Sequence, residues 1–327
     1  MGHRIFLTGS GIAEEACSVL REHGCILEVG DPKDTPLDLA RKLKAFNPNG
    51  IIVRQGEISA VVQAAAEDLK VICKHGVGTD NIDILSATRR GIPVFFTPGA
   101  NSESAAEHTV GLMLSLLRRI PVQNMRIRGG TFDKKGYDGA ELQGKTLGLI
   151  GFGRIGRRVA ELVRPFNVQV LAYDPLLPSV TFPPHVSRVR DPGGIFHRSD
   201  VISLHCPLTE ETRSLINEEA LSQMKEGVYL INTARGGIID EDALVQALRE
   251  GRVAGAALDV FEMEPLPVEH PLLTLDSVVL TTHVAGVSDD SFRNMGMQAV
   301  RNVLAVLEGR DVDRASLLNP EALGETP

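Results

Sequence analysis

Short apolar runs alternate with helical patterns through the first hundred residues of the chain. Runs typical of buried strands occupy residues 5–8, 25–29, 51–54, 71–74 and 93–96. Segments with a helical spacing of apolar residues separate them, at 12–23, 37–46 and 59–69. Because strands that alternate with helices pair in parallel, this region predicts a parallel sheet covered by helices.

A long helix and a second alternating series follow. The apolar spacing predicts the helix at residues 104–119, ended or kinked by Pro121. Strands are predicted at 146–151, 168–174, 201–205, 228–232, 253–258 and 278–282. Further helices are predicted at 217–226, 240–250 and 288–308, and loops at 175–195 and 262–276. The chain therefore predicts an α/β fold with two parallel sheets.

The length and charge of the chain narrow the possible function classes. A chain of 327 residues is long for one core, so we expect two domains. A net charge of −8 argues against a nucleic-acid surface, since phosphate binding needs clustered Lys and Arg. No apolar run reaches membrane-spanning length, and the first ten residues lack the apolar core of a signal peptide. We therefore expect a cytoplasmic protein that binds neither nucleic acid nor membrane.

The cysteines show no C-x-x-C spacing. They are Cys17, Cys25, Cys73 and Cys206. We expect them to be reduced and mostly buried, acting as small apolar side chains rather than as disulfides or metal ligands. The sequence predicts no metal site.

A glycine-rich turn separates a predicted strand from a predicted helix. Gly151, Gly153 and Gly156 fit G-x-G-x-x-G, and Asp174 ends the next strand 18 residues beyond Gly156. In a dinucleotide-binding turn the first glycine allows the tight turn and the second lets backbone amides approach pyrophosphate. The third lets helix and strand pack closely. The acidic residue binds the ribose hydroxyls and repels a 2′-phosphate. This segment therefore predicts NAD binding in preference to NADP.

Polar side chains follow many of the predicted strands. These residues are Arg54, Lys74, His205, Thr233, Arg235, Asp259 and His283. Ligands of open α/β sheets bind at the carboxyl ends of the strands. We therefore expect these groups to converge on one cleft next to the cofactor.

Several motifs together resemble the D-isomer-specific 2-hydroxyacid dehydrogenases, with the D-3-phosphoglycerate dehydrogenase branch most similar. The motifs are the glycine turn, N-S-x-S-A-A-E at 101–107, H-C-P-L-T at 205–209, N-T-A-R-G-G-I-I-D-E at 232–241, A-L-D-V-F at 257–261 and E-P at 264–265. The resemblance covers nearly the whole chain. It implies two Rossmann-like or flavodoxin-like domains with parallel sheets, and a chain without the C-terminal regulatory domain of some members.

The resemblance also implies a discontinuous layout and a homodimer. Residues 1–98 and 288–327 are expected to form the substrate-binding domain, and residues 99–287 the NAD-binding Rossmann domain. Such enzymes pair through the helix at 101–119 and the segment at 121–137.

Three residues match the catalytic positions of the family. His283 is the expected general acid/base, because imidazole titrates near neutral pH. Glu264 is expected to bond the other ring nitrogen of His283 and to favour the charged form of the ring. Glu262 is the other carboxylate that could take this role, and the alignment with the family motif selects Glu264. Arg235 is expected to bind the substrate carboxylate, which its planar fork fits in a bidentate way.

The remaining expected site residues are carried over from the same resemblance. Cofactor contacts are expected from Gly151, Gly153, Arg154, Ile155, Gly156, Asp174, Pro207, Thr212, Thr233, Asp259, His283 and Gly286. Substrate contacts are expected from Arg54, Lys74, Val77, Gly78 and Arg235. No chemistry is assigned to His75, His108 or His205, for which local hydrogen bonding is expected.

Two departures from the phosphoglycerate branch keep the substrate open. Lys74 and Lys134 stand where that branch has arginines, so the charge is kept but the fork geometry for a phosphate is lost. We expect NAD-dependent hydride transfer at C2 of a D-2-hydroxy or 2-keto acid, with 3-phosphoglycerate as the leading candidate.

Hydroxypyruvate or glyoxylate reduction is the first alternative. An NAD-sensing, corepressor-like binding module and a reader of another anion, such as formate or phosphite, are further alternatives.

Overall fold

The computed structural model of the protein describes residues 2–324, which form two compact units. One unit contains the residues up to Asn101 together with those from Val287 onward. The other is Ser102–Gly286.

Strands and helices alternate along both units. The strands within residues 2–324 are β1 Arg4–Leu7, β2 Ile26–Val29, β3 Gly50–Val53, β4 Val71–Lys74, β5 Val94–Phe95, β6 Thr146–Ile150, β7 Gln169–Tyr173, β8 Val186–Arg188, β9 Val201–Leu204, β10 Val228–Asn232, β11 Val253–Leu258 and β12 Val278–Leu280. The α-helices in the same range are α1 Glu14–Glu22, α2 Pro36–Phe46, α3 Ala60–Ala64, α4 Ile84–Arg89, α5 Ser102–Leu117, α6 Ile120–Arg128, α7 Arg154–Leu162, α8 Pro192–Phe196, α9 Glu218–Gln223, α10 Glu241–Arg249 and α11 Asp289–Leu307.

The first unit is built on a five-stranded parallel sheet. Its strand order is β2-β1-β3-β4-β5, which is the flavodoxin-like order. The side chains of β3 are buried along its whole length, as expected for a strand covered by helices on both faces.

Helix α11 returns the end of the chain to this sheet. A Cβ added to Gly50 on β3 would lie 3.0 Å from Val303 Cγ1, and one added to Gly296 would lie 3.1 Å from Ala16 Cβ. The small residues therefore let α11 approach both the sheet and α1 closely. Ser288 caps this helix, because its side chain accepts the Ser291 N–H.

The second unit is built on a seven-stranded parallel sheet in the order β12-β11-β10-β9-β6-β7-β8. Read from β8, this is the Rossmann order 3-2-1-4-5-6 with one added strand. The order reverses between β6 and β9, which pair directly. The carboxyl ends of these two strands therefore form the switch point at which such sheets bind ligands.

Both expected sheets are present, and the fold class is confirmed. Helix α5 ends at Leu117, and Pro121 does not end it but occupies the first turn of a separate helix, α6. Proline is tolerated at the start of a helix, because N–H groups in the first turn have no acceptor within the helix.

One other expectation on local structure was wrong. The segment 175–195, expected to be a loop, contains β8 and the start of α8. Helix α4 was not expected at all. Both helices are a single turn or slightly more, too short to show a repeating apolar pattern, although Asp83 and Asp191 provide N-caps.

The described residues contain no helix whose length and apolar character suit a bilayer crossing. The four cysteines are free, and within residues 2–324 no group of three or more His, Cys, Asp or Glu is arranged to hold a metal ion.

Candidate active site

The glycine turn lies at the carboxyl end of β6, at the switch point of the second sheet. Gly151 has φ +92°, and a Cβ there would lie 2.6 Å from the Cys206 amide nitrogen after β9. A Cβ on Gly156 would overlap the carbonyl oxygen of Gly151. Both positions therefore require glycine for the turn itself. Gly153 differs, because no heavy atom lies within 4 Å of a Cβ placed there.

The open space beside Gly153 fits the pyrophosphate of a dinucleotide. Gly153 is the N-cap of α7, and no side chain caps this helix end. Unpaired N–H groups at a helix N-terminus bind anions. Arg154 and Ile155 begin the helix, and Val159 on the same helix is fully buried.

Asp174 stands one residue beyond β7 and closes the turn. Its Oδ2 accepts the N–H of Phe152 at 2.9 Å, and its Oδ1 accepts the N–H of Leu176 at 3.0 Å. Each carboxylate oxygen has about two acceptor sites, so one on each remains for a ribose hydroxyl. The local bonds hold the carboxylate in place beside the glycine turn.

The segment that carries Arg235 is held by Asn232, the last residue of β10. The buried Asn232 side chain donates to the Arg235 carbonyl at 2.9 Å and accepts the Ala234 N–H at 3.0 Å. Arg235 itself donates through Nη1 to the Ala234 carbonyl at 2.7 Å. The strand end and the asparagine therefore fix the backbone from which the guanidinium projects.

Gly236 packs this segment against the next one. A Cβ on Gly236 would overlap the backbone of Phe261 and Glu262. The backbone at Arg235 therefore lies against the segment that leads to Glu264. Only glycine allows two backbone segments to approach this closely.

Glu264 and His283 form a hydrogen-bonded pair. Glu264 Oε2 lies 2.7 Å from His283 Nδ1, and Glu264 Oε1 accepts the Phe261 N–H at 3.0 Å. The His283 side chain is 51% exposed, and its Nε2 makes no hydrogen bond to any described residue. We assign the Nδ1 proton to the bond with the carboxylate, which leaves Nε2 to face solvent. An imidazole with one nitrogen fixed and the other open can exchange a proton with a ligand.

The backbone at His283 adopts a left-handed conformation, with φ +55°. Asp259 holds it there: its carbonyl accepts the His283 N–H at 2.8 Å, and its fully buried carboxylate accepts the N–H groups of Val284 and Ala285 at 2.9 and 2.7 Å. The Thr281 hydroxyl also donates to this carboxylate, at 2.6 Å. The strain of a non-glycine residue at positive φ is therefore offset by four hydrogen bonds.

Sequence reasoning missed this role of Asp259 and placed it at the nicotinamide. An aspartate directly after an apolar strand signals a polar strand end, but not which backbone amides it binds. The amides come from residues 25 and 26 positions away, so only the folded chain reveals the contact.

Thr233 and Thr212 are held by neighbouring hydroxyl and carbonyl groups. Thr109 donates to the Ala105 carbonyl at 2.7 Å, so its contact of 2.8 Å with Thr233 is a bond that Thr233 donates. The Thr212 hydroxyl donates to the carbonyl of the exposed Pro207 at 2.7 Å. Gly286 ends this unit, three residues after His283.

Arg54 follows β3 in the first unit. Its guanidinium lies 4.8 Å from the centroid of the Phe292 ring, and its Nη1 donates to the Ser10 hydroxyl and to the Gly11 carbonyl. Burial lowers the pKa of Arg54, though the group stays charged. Arg54 makes no ion pair with a carboxylate in the described part of the chain.

Lys74 ends β4 beside Arg54. Its ammonium donates to the Asn81 side chain at 2.8 Å and to the Arg54 carbonyl at 3.4 Å. The following turn carries Val77 and Gly78, both half-buried. This turn is fixed by Thr97, whose hydroxyl accepts the Gly76 N–H at 2.9 Å.

Three other histidines make the local hydrogen bonds expected of them. His75 contacts the Phe292 carbonyl at 3.3 Å, His108 contacts Thr281 at 3.2 Å, and His205 contacts Ser203 at 2.9 Å. Burial lowers the pKa of His75 to about 4, with further contributions from the charges of Arg54 and Lys74. Burial also lowers the pKa of His205 to about 4. Both rings are therefore neutral at physiological pH.

A sheet in this order with a glycine turn at its switch point is an architecture that binds dinucleotides. Residues 110–285 match the family described as D-isomer specific 2-hydroxyacid dehydrogenase, NAD binding domain. This match covers more than half of the chain. The chain belongs to the D-isomer specific 2-hydroxyacid dehydrogenase family; it is an NAD-dependent oxidoreductase that acts on D-2-hydroxy acids.

Relatives with different printed activities are similar to this chain. A glyoxylate reductase of Thermofilum pendens is 42% identical over 330 residues, 97% of this chain and 94% of the relative. A D-3-phosphoglycerate dehydrogenase of Archaeoglobus fulgidus is 40% identical over 94% of this chain, but the chain spans only 58% of that relative. The crystal structure of a D-lactate dehydrogenase of Aquifex aeolicus with NAD and lactic acid superposes with a TM-score of 0.82, at 31% identity over 96% of this chain and 98% of that one.

Proposed function

We propose that this enzyme reduces a short 2-keto acid at C2, and oxidises the matching D-2-hydroxy acid, with Arg235, Glu264 and His283 as the catalytic residues. The observation that carries the proposal is the 2.7 Å contact between Glu264 Oε2 and His283 Nδ1, with Nε2 of the same ring open to solvent. Family membership supports the reaction class.

Proton transfer is assigned to His283. During reduction its Nε2 gives a proton to the oxygen on C2, and during oxidation it takes the proton back. The Glu264 carboxylate fixes the tautomer and stabilises the charged ring after protonation. NADH, when bound, would supply the hydride for C2, so that the hydride and the His283 proton together reduce the carbonyl to a hydroxyl.

Substrate orientation is assigned to Arg235. Its planar guanidinium can bind the substrate carboxylate through two hydrogen bonds, which a lysine cannot reproduce. The Asn232 bonds to the backbone of this segment support a fixed position for it.

NAD binding is assigned to the glycine turn and the strand ends beside it. Gly151, Gly153 and Gly156 form the pyrophosphate turn, and Asp174 is assigned to the ribose hydroxyls. The remaining assigned contacts are Arg154, Ile155, Pro207, Thr212, Thr233, Asp259, His283 and Gly286.

The substrate tail is assigned to Arg54 and Lys74, and the substrate carboxylate to the amides of Val77 and Gly78. Two cations at adjacent strand ends, of which Arg54 makes no ion pair in residues 2–324, favour a tail with a second anionic group. This supports 3-phosphoglycerate and its keto acid as the first substrate pair. The lysine at position 74 and the Asn81 bond that it makes weaken that case.

Hydroxypyruvate or glyoxylate is the second candidate. The similarity to the Thermofilum glyoxylate reductase extends over 94% of that relative, whereas the chain covers 58% of the Archaeoglobus phosphoglycerate dehydrogenase. A Thermotoga maritima hydroxypyruvate reductase is also 44% identical over 79% of this chain and 84% of the relative.

A substrate screen with a catalytic control tests the proposal. NADH oxidation is measured with 3-phosphohydroxypyruvate, hydroxypyruvate and glyoxylate, for the wild type and for His283→Ala. We expect turnover on at least one acid and a loss of roughly 10²–10⁴-fold in the variant, with NADH binding retained. Full activity of His283→Ala would remove the catalytic assignment.

A homodimer in the cytoplasm completes the proposal. The segment from α6 to residue 137 exposes apolar side chains that monomers usually bury. They are Ile120, Met125, Ile127, Phe132 and Tyr137. Light scattering coupled to size exclusion should give twice the mass of one chain, and the mass of a single chain would contradict the dimer.

A further inference from the structure

Glu241 is a buried carboxylate outside the catalytic trio. It is the first residue of α10, directly after the N-cap Asp240, and only 7% of its surface is exposed. Its Oε1 accepts the N–H of Glu262 at 2.7 Å, and its Oε2 lies 3.2 Å from His270 Nε2. A carboxylate this deeply buried needs partners for both oxygens, and here it has them.

His270 presents a proton to Glu241. The Nδ1 of the ring accepts the Leu272 N–H at 3.3 Å, so the proton of the neutral ring is on Nε2, which faces the carboxylate. The side chain of His270 is 17% exposed. The two residues therefore tie the start of α10 to both ends of the segment 262–270.

That segment carries Glu264. Two successive amides where it begins are bound by two carboxylates: Phe261 N–H by Glu264 and Glu262 N–H by Glu241. On another side, Gly236 meets the backbone of the same two residues. The backbone beside Glu264 is thus fixed by Glu241. Gly236 and Glu241 both lie in the stretch 232–241, which also contains Arg235.

We propose that Glu241, supported by His270, is a positioning residue for Glu264. It fixes the segment that holds the Glu264 carboxylate against His283, and it fixes that segment relative to Arg235. This inference rests on the proposed function, because it assigns Glu241 a role through Glu264. The 232–241 and 261–270 stretches meet at Gly236, through the backbone, and at Glu241, through its side chain.

The groups around Glu241 shift its pKa in both directions. Burial raises the pKa of Glu241, the Glu262 N–H and the protonated form of His270 lower it, and the neighbouring Glu262 and Asp242 carboxylates raise it further. Removing the Glu241 side chain leaves the Glu262 N–H and His270 Nε2–H without this acceptor. A donor that loses its acceptor is expected to move toward another partner, so the backbone at Glu262 should shift.

The test compares Glu241→Ala and His270→Ala with two matched variants. His270→Gln keeps an N–H donor at the position of Nε2, and Asp242→Ala removes the next, exposed acid at the same helix end. We expect kcat for 2-keto acid reduction to fall about 10- to 100-fold in Glu241→Ala, with the KM for NADH unchanged. We expect kcat to fall less in His270→Ala than in Glu241→Ala, and His270→Gln to keep most of the wild-type kcat. Asp242→Ala should have the kcat of the wild type.

The pH profile and a double variant distinguish positioning from a general loss of structure. If Glu241 acts through Glu264, the fall of the reduction rate at alkaline pH moves to lower pH in Glu241→Ala, and Glu241→Ala adds little loss to Glu264→Gln. A uniform loss at every pH, or losses that multiply in the double variant, would overturn the inference. If Glu241→Ala does not fold, the His270→Ala and His270→Gln pair gives the same decision.

The same data separate this inference from the proposed function. A Glu264→Gln variant with an unchanged profile rejects the catalytic assignment itself. If the pH profile shifts in Glu264→Gln but not in Glu241→Ala, only the role of Glu241 is rejected.

Discussion

The first and third glycines of the nucleotide turn are in contact: a Cβ on Gly156 would overlap the carbonyl oxygen of Gly151. Gly153, between them, has open space instead. The same residue type therefore serves two purposes within six residues. Two positions are glycine so that the turn can form, and one is glycine so that a ligand can approach.

Alanine at these positions should separate folding from NAD binding. Gly153→Ala should fold with the thermal stability of the wild type, since φ is −72° and no atom is near, but should bind NADH at least 10-fold more weakly. Gly156→Ala should lower the unfolding temperature. Thermal melts and NADH fluorescence titrations check both, and wild-type NADH affinity in Gly153→Ala would contradict the assignment of that space to pyrophosphate.

Asp174 should set the preference for NAD. Asp174→Ser removes the negative charge that repels a 2′-phosphate, so the ratio of kcat/KM for NADH to that for NADPH should fall. The fall should come partly from weaker NADH use, because the carboxylate also holds the Phe152 and Leu176 amides. An unchanged ratio would remove Asp174 from ribose recognition.

Buried His75 should make the first unit less stable in acid. Its pKa is about 4 in the folded protein and near 6.5 when unfolded, so between these values the unfolded chain binds more protons. Stability is therefore lost as pH falls through this window, by about 3 kcal/mol at most. Denaturant unfolding at about pH 7 and about pH 4.5 should show a smaller loss in His75→Asn. Equal losses in both proteins would contradict a neutral buried ring.

Arg54 should determine how the enzyme handles the substrate tail. Arg54→Met keeps an unbranched side chain but removes the charged guanidinium that lies over Phe292. We expect kcat/KM for 3-phosphohydroxypyruvate to fall at least 10-fold more than that for glyoxylate, which has no tail. A parallel fall for both acids would show that Arg54 supports the fold rather than the tail.

The strands and the nucleotide turn could be predicted because their signals are local. An apolar run with an acid 18 residues past a glycine turn is visible in the sequence, and the structure has β6, α7 and Asp174 there. The short helices α4 and α8 were missed because one turn does not produce a periodic pattern.

The network around the site could not be predicted, because its contacts join distant positions. Asp259 binds amides 25 and 26 residues away, and Glu241 binds one 21 residues away. Both acids follow ordinary patterns, one at a strand end and one in the first turn of a helix. Only the packing of β10, β11 and the segments after them decides which amides they reach.

The most direct test of the account is the pH profile of NADH-dependent 2-keto acid reduction in Glu264→Gln. Reduction needs a protonated His283, and the Glu264 carboxylate, 2.7 Å from Nδ1, stabilises that form. We predict that the rate of the variant begins to fall at a lower pH than that of the wild type, while NADH binding is unchanged. A profile that superposes on that of the wild type would contradict the account.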